Sequence, residues 1–69
     1  MFEIDGKKIA NNIRAERNRV NLSQEETAKC IGITSTTYKK MEKDCSNLKI
    51  GYLIKLAETF KCKIDNFFV

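Results

Sequence analysis

The stretch LSQEETAKCIGITSTTYKKME, residues 22–42, carries the strongest signal in this chain. It predicts two short helices joined by a glycine turn, each opened by its own polar cap. Ser23 and Glu26 stand at the capping-box spacing, where a hydroxyl and a carboxylate satisfy exposed backbone N–H groups reciprocally. Thr34 repeats the cap before a second helix that runs to about Met41 or Glu42. Gly32 lies between them and permits a positive φ, so the chain can turn sharply without a Cβ clash. Ala28 is small enough for two helices to approach closely, and Ile31, Ile33 and Met41 supply the pair with an apolar face. A helix that opens Thr34-Ser35-Thr36-Thr37 and then carries Lys39 and Lys40 suits the major groove of DNA.

Outside this stretch the sequence also reads as helix, with no alternating strand pattern and no repeat. Asp5-Gly6 precedes a first helix over about 7–20, with Ile9, Ile13 and Val20 on one face. Residues 43–47 form a polar connection. A fourth helix over about 49–60 carries a wide apolar stripe of Ile50, Leu53, Ile54, Leu56, Ala57 and Phe60. Lys49 marks its start weakly, and Asn47 is the alternative cap. Lys61-Cys62-Lys63 breaks the pattern, and 64–68 then reads as a short fifth helix. The expected fold is all-α: one compact five-helix domain over 1–69, with the helix-turn-helix at about 23–42.

Composition narrows the partner. A chain of 69 residues makes one small domain, and 42% hydrophobic residues provide one modest core. Thirteen Lys and Arg against nine Asp and Glu leave a net charge of +4, which favours a polyanion without separating DNA from RNA or a membrane surface. Distribution says more. Lys7, Lys8, Arg14, Arg17 and Arg19 face only Glu16 in the first helix, and Lys39, Lys40 and Lys43 face only Glu42 around the third. Cys30, Cys45 and Cys62 are an odd number with no close pair and no histidine to complete a metal set, so reduced thiols are expected and no metal or cofactor. Cys62 falls at an apolar position and is expected to pack as a small hydrophobe. No apolar run approaches the ~18–20 residues of a membrane span and no signal peptide is evident, so the expected location is the cytoplasm.

Residues 22–42 resemble the helix-turn-helix of the phage repressor and Cro family, the lambda-repressor-like DNA-binding domains. Gln24, Ala28, Gly32, Ile33 and the Met41-Glu42 ending carry the resemblance, which extends over roughly residues 9–68. Three positions depart from the family pattern. Thr27 replaces a usual leucine, Tyr38 a usual isoleucine or valine, and Asp44 a common turn glycine; none is a base-reading position. The resemblance implies that the third helix reads bases and that two copies meet a palindromic site. It also implies an ion pair between Arg17 and Glu42 that links the first helix to the reading helix. An arginine fork clamping that carboxylate would fix the angle at which the reading helix is held.

Candidate contacts follow from side-chain chemistry. Ser35, Thr36 and Thr37 occupy the first turn of the reading helix, where short hydroxyls reach base edges and a threonine methyl packs on thymine. Lys40 is one turn further on the same face and suits guanine O6 or N7. Lys39 is read as a phosphate contact or a solvated charge. Thr34 belongs to the same run, with capping as its main duty. Gln24, at the first turn of its helix, is expected to hold a phosphate beside the backbone N–H groups. Lys43 and the amides near Asn47 are further phosphate donors. Tyr38 is placed toward the core, with its hydroxyl reaching solvent or a phosphate. Arg14 and Arg19 are read as a charged solvent face at least as readily as a DNA contact.

The expected function is a sequence-specific double-stranded DNA-binding transcriptional regulator, a repressor acting as a homodimer on its operator. Asn66, Phe68 and Val69 are the expected dimer contact, since Ile64 and Phe67 can turn inward while Phe68 and Val69 point elsewhere. Glu25 and Glu26 present an acidic edge that could touch RNA polymerase. The rival reading is an antitoxin or bridging module of the same fold, with a protein as main ligand. An enzyme is not expected: there is no histidine, no nucleophile beside a base, no glycine-rich phosphate loop and no carboxylate cluster.

Overall fold

Helix α1 (Gly6–Arg19) begins where Asp5 accepts a hydrogen bond from the Lys8 amide at 3.1 Å. The computed structural model describes residues 5–47 and 49–69. Helix α2 (Gln24–Ile31) opens with a complete capping box: Ser23 Oγ accepts from the Glu26 amide at 3.0 Å, and the Glu26 carboxylate accepts from the Ser23 amide at 2.9 Å. Helix α3 (Ser35–Met41) is capped by Thr34, whose Oγ1 accepts from the Thr37 amide. Helix α4 (Ile50–Phe60) has no side-chain cap; Lys49 takes the cap position, and Asn47 does not fill that role. Among the described residues there is no strand. The described residues are therefore all-helical, with four α-helices, and the expected short fifth helix is a 3-10 turn (Ile64–Phe68). Five residues are too few for a stable isolated helix, and packing rather than propensity holds them.

Helices α1, α2 and α4 each stop in the same way. Asn21, Gly32 and Lys61 adopt positive φ of 59°, 78° and 54°. The next amide in each case reaches back five residues: Leu22 to the Arg17 carbonyl, Ile33 to Ala28 and Cys62 to Ala57, at 3.3, 3.0 and 3.0 Å. This pattern satisfies carbonyls that a helix end otherwise leaves bare. Only Gly32 adopts the left-handed conformation without a Cβ penalty.

The core is built from Ile9, Ala10 and Ile13 of α1, Ala28 and Ile31 of α2, Tyr38 of α3, Leu53, Leu56, Ala57 and Phe60 of α4, and Phe67 of the 3-10 turn. Phe60 and Phe67 meet edge to face at 6.4 Å, and each such side chain contributes roughly 1.5–3 kcal/mol by leaving water. The apolar stripe of α4 is wider than its buried face: Ile50 is 61% exposed and Ile54 48% exposed, because α1, α2 and the terminal turn cover only one side of it. Asn12 of α1 ties the C-terminus down by donating to the carbonyls of Phe67 and Val69 at 3.0 and 3.1 Å.

The connection after α3 also returns to α1. The Cys45 amide donates to the Gly6 carbonyl at 2.9 Å, while Asp44 turns the chain by accepting from the Ser46 amide and hydroxyl. A Cβ on Gly6 would overlap Asp44 and the Ser46 backbone, so the first residue of α1 has to be glycine for this close approach. Thr27, at the usual leucine position, is fully buried and donates its hydroxyl to the Ser23 carbonyl at 2.9 Å. No described helix is long and apolar enough to cross a membrane.

Candidate nucleic-acid interface

Helix α3 presents two unlike faces. Thr36, Thr37, Lys39 and Lys40 are exposed and Ser35 is half-buried, whereas Tyr38 is completely enclosed. Thr36 and Lys40 are one turn apart, so they share one outward face. Thr34 Oγ1 bonds both the amide and the hydroxyl of Thr37, which commits Thr34 to capping. Thr36 and Lys40 make no side-chain hydrogen bond among the described residues, while Lys39 lies 3.4 Å from Glu25 across the turn. Lys43 and Asn47 are exposed in the connection that follows.

The inward side of α3 ends in a charged knot. Arg17 of α1 clamps Glu42 with two hydrogen bonds, Nε to Oε2 at 2.6 Å and Nη2 to Oε1 at 3.2 Å, and its third bond goes to the Leu22 carbonyl at 2.7 Å. Glu42 is only 3% exposed. Gln24 adds a third donor to the carboxylate, Nε2 to Oε1 at 3.2 Å, and Arg14 donates to the Glu42 carbonyl at 2.9 Å. Burial pushes the Glu42 pKa up, but the hydrogen bonds and charge of Arg17, with the bond from Gln24, outweigh it, and the carboxyl sits below the ordinary glutamate range. The Glu42 hydrogen bond correspondingly raises Arg17.

Several residues sit differently from their sequence reading. Gln24 is engaged with Glu42, so part of its amide is turned into the protein rather than toward a phosphate. The Tyr38 hydroxyl does not reach solvent. It lies beside the Arg17–Glu42 pair without a well-formed hydrogen bond among the described residues, and burial, followed by the Glu42 carboxylate, pushes its ionisation far above the tyrosine range. Arg19 stays exposed but is not free charge, since it donates to Glu16 at 2.8 Å and to the Phe60 carbonyl at the end of α4. At the other end of the chain, Asn66 is half-buried, while Phe68 is 46% and Val69 70% exposed. Helix α3 and the C-terminal residues thus form two separate surfaces.

Residues 13–67 match the family model described as helix-turn-helix. The chain belongs to the Cro/C1-type helix-turn-helix family. This is a family of DNA-binding transcriptional regulators. An uncharacterized HTH-type transcriptional regulator of Archaeoglobus fulgidus is 33% identical over 57 residues, which cover 83% of this chain and 80% of that protein. Among solved structures, the restriction-modification controller protein C.AhdI from Aeromonas hydrophila superposes with a TM-score of 0.81 at 23% identity, over 88% of this chain and 92% of that one. Fe(II)-HppE with the alternative substrate (S)-1-HPP gives a TM-score of 0.83 at 18% identity, over 96% of this chain but 34% of HppE. At these identities the two structures share the fold alone, and this chain spans about a third of HppE.

Among the described residues no group of three His, Cys, Asp or Glu side chains could hold a metal ion. Cys30 is exposed, Cys45 is buried and Cys62 is partly buried against the core. Burial raises the pKa of both Cys45 and Cys62, which disfavours the reactive thiolate.

Proposed function

We propose that this protein is a sequence-specific repressor that binds a palindromic operator as a homodimer in the cytoplasm and has no catalytic activity of its own. The observation that carries the reading is the division of α3. Thr36 and Lys40 stand exposed and uncommitted on one face, while the other face is locked to α1 through Arg17 and Glu42. A helix held in this way can enter the major groove as a rigid element, with Thr36 and Lys40 at base edges and Lys43 at the backbone.

Dimerisation follows from the limits of one reading helix, which meets only a few base pairs. Phe68 and Val69, with Asn66 beside them, are the surface proposed for the partner copy, placing the two reading helices roughly 34 Å apart on one side of the duplex. Repression by steric exclusion is the proposed mode. Glu26 serves the α2 cap and Glu25 is loosely paired with Lys39, so the acidic edge offered to RNA polymerase is partly engaged within the chain.

Gel shift over a salt series tests the reading, together with sedimentation of the wild type and Phe68→Asp. Specific binding with a steep salt dependence, about 0.9 in the log–log slope per phosphate contact, is expected. The Phe68→Asp protein should bind half-sites without forming the two-site complex. Absence of any shift at accessible salt would favour a protein ligand instead.

A further inference from the structure

The phosphate candidates Gln24 and Lys43 are not separate contacts. They line one cleft of about 350 Å³ between α1 and the C-terminal end of α3, together with Arg14, Arg17, Lys39 and Glu42. Four cations therefore surround a single carboxylate. Arg17 and Glu42 cancel each other in a buried, bidentate pair. Lys39 is drawn toward Glu25 at 3.4 Å, an exposed and weak pairing. Arg14 and Lys43 remain to set the charge of the cleft.

Arg14 is the unusual member. Its Nη2 donates to the Glu42 carbonyl at 2.9 Å and to Asn11 Oδ1 at 3.1 Å, and these two bonds hold the guanidinium in place. Its Nε lies 3.8 Å from Glu42 Oε1, an oxygen already bonded by Arg17 and Gln24. Nε and Nη1 make no hydrogen bond among the described residues, and the side chain is 47% exposed. A guanidinium fixed along one edge, paired only loosely with a carboxylate that Arg17 already clamps, and with no hydrogen bond from its remaining donors, is a pre-organised receptor for an oxyanion.

We propose that this cleft seats one phosphate of the duplex backbone and that Arg14 is its principal ligand, with Lys43 beside it and Gln24 behind. The proposal rests on the DNA-binding reading above and extends it to a residue of α1. The seat adjoins the knot that orients α3, so one phosphate contact sets the register of the reading helix on the duplex.

The test uses the full chain as wild type, Arg14→Gln, Arg14→Lys and Lys55→Gln. The last removes an exposed cation of α4 as a control for net charge. Binding to a selected duplex and to a random duplex is measured over a salt series, well below each melting temperature. Arg14→Gln should weaken both duplexes alike and make the log–log salt slope shallower by about 0.9. Arg14→Lys should retain the slope, and Lys55→Gln should match the wild type. An unchanged slope in Arg14→Gln would overturn the seat and leave Arg14 as a brace for the Glu42 carbonyl, even if affinity fell. A loss confined to the selected duplex would overturn it equally. Failure of the wild type to bind any duplex would refute the DNA-binding reading and the seat together, whereas failure of the seat alone leaves wild-type binding intact.

Discussion

The two ends of α3 are built on opposite principles. The N-terminal end is held by local bonds: Thr34 caps the helix, and Thr36 and Thr37 stand exposed. At the C-terminal end, Glu42 is 3% exposed and is gripped from α1 and α2, above a fully buried Tyr38. Seven residues are too few for a helix to be stable alone, so the direction of α3 is inherited from the buried end. The exposed end is thereby left free to meet a ligand. A helix built in this way separates its anchorage from its exposed surface, and that separation can be broken by substitution.

The largest effect is expected at the buried end. Glu42→Ala leaves Arg17 desolvated without its carboxylate and should cost about 3 kcal/mol. That corresponds to a melting temperature lower by on the order of 15 °C for a domain of this size. Glu58→Ala, on an exposed position, should change stability by less than about 0.5 kcal/mol. Equal melting temperatures for the two variants would show that the knot does not anchor the helix.

The same knot should give stability an acid limb. The Glu42 carboxyl is depressed below its ordinary value near 4.5, so its contribution is fully present above that pH and is lost as pH falls through the lower folded value. Glu25, Glu26 and Asp44 are depressed too and act with the same sign. Glu42→Gln should therefore be much less stable than the wild type at neutral pH, with the gap closing below about pH 4.5. Denaturant unfolding at a series of pH values checks this, and a constant gap would contradict it.

At the N-terminal end Thr34→Ala should cost only about 1 kcal/mol, the usual loss for a capping hydroxyl. A loss comparable to that of Glu42→Ala would erase the contrast between the ends. Tyr38→Phe is the smallest and most pointed case. The hydroxyl has no well-formed partner, so removing it should leave stability within about 1 kcal/mol of the wild type, on the neutral or stabilising side. A clear destabilisation would mean that the hydroxyl bonds Glu42 and belongs to the knot.

How much of this was legible in the sequence depends on how local the signal is. The Ser23–Glu26 box, the Thr34 cap and the Gly32 turn are visible because each is written within four residues. The Arg17–Glu42 pairing rests on family resemblance, since nothing in two charges 25 residues apart marks them as partners. Gln24 reaching Glu42, Asn12 holding the C-terminal carbonyls and Arg14 facing a cleft leave no trace in spacing, because each depends on how separate helices dock. Ile50 and Ile54 mislead for the same reason. Periodicity shows which residues share a stripe, but not how much of the stripe its neighbours cover. The left-handed stop at Lys61 is hidden because lysine carries no conformational preference for it.

Whether the exposed face of α3 reads bases is answered by selecting bound duplexes from a random library, in parallel for the wild type, Thr36→Ala, Lys40→Ala and Lys43→Ala. Thr36→Ala and Lys40→Ala should each alter the selected motif at particular positions and lose about 1–3 kcal/mol on the wild-type site. Lys43→Ala should keep the motif while weakening all duplexes. If Thr36→Ala and Lys40→Ala both selected the wild-type motif unchanged, α3 would not be the reading helix, and its division into an anchored face and a reading face would not hold.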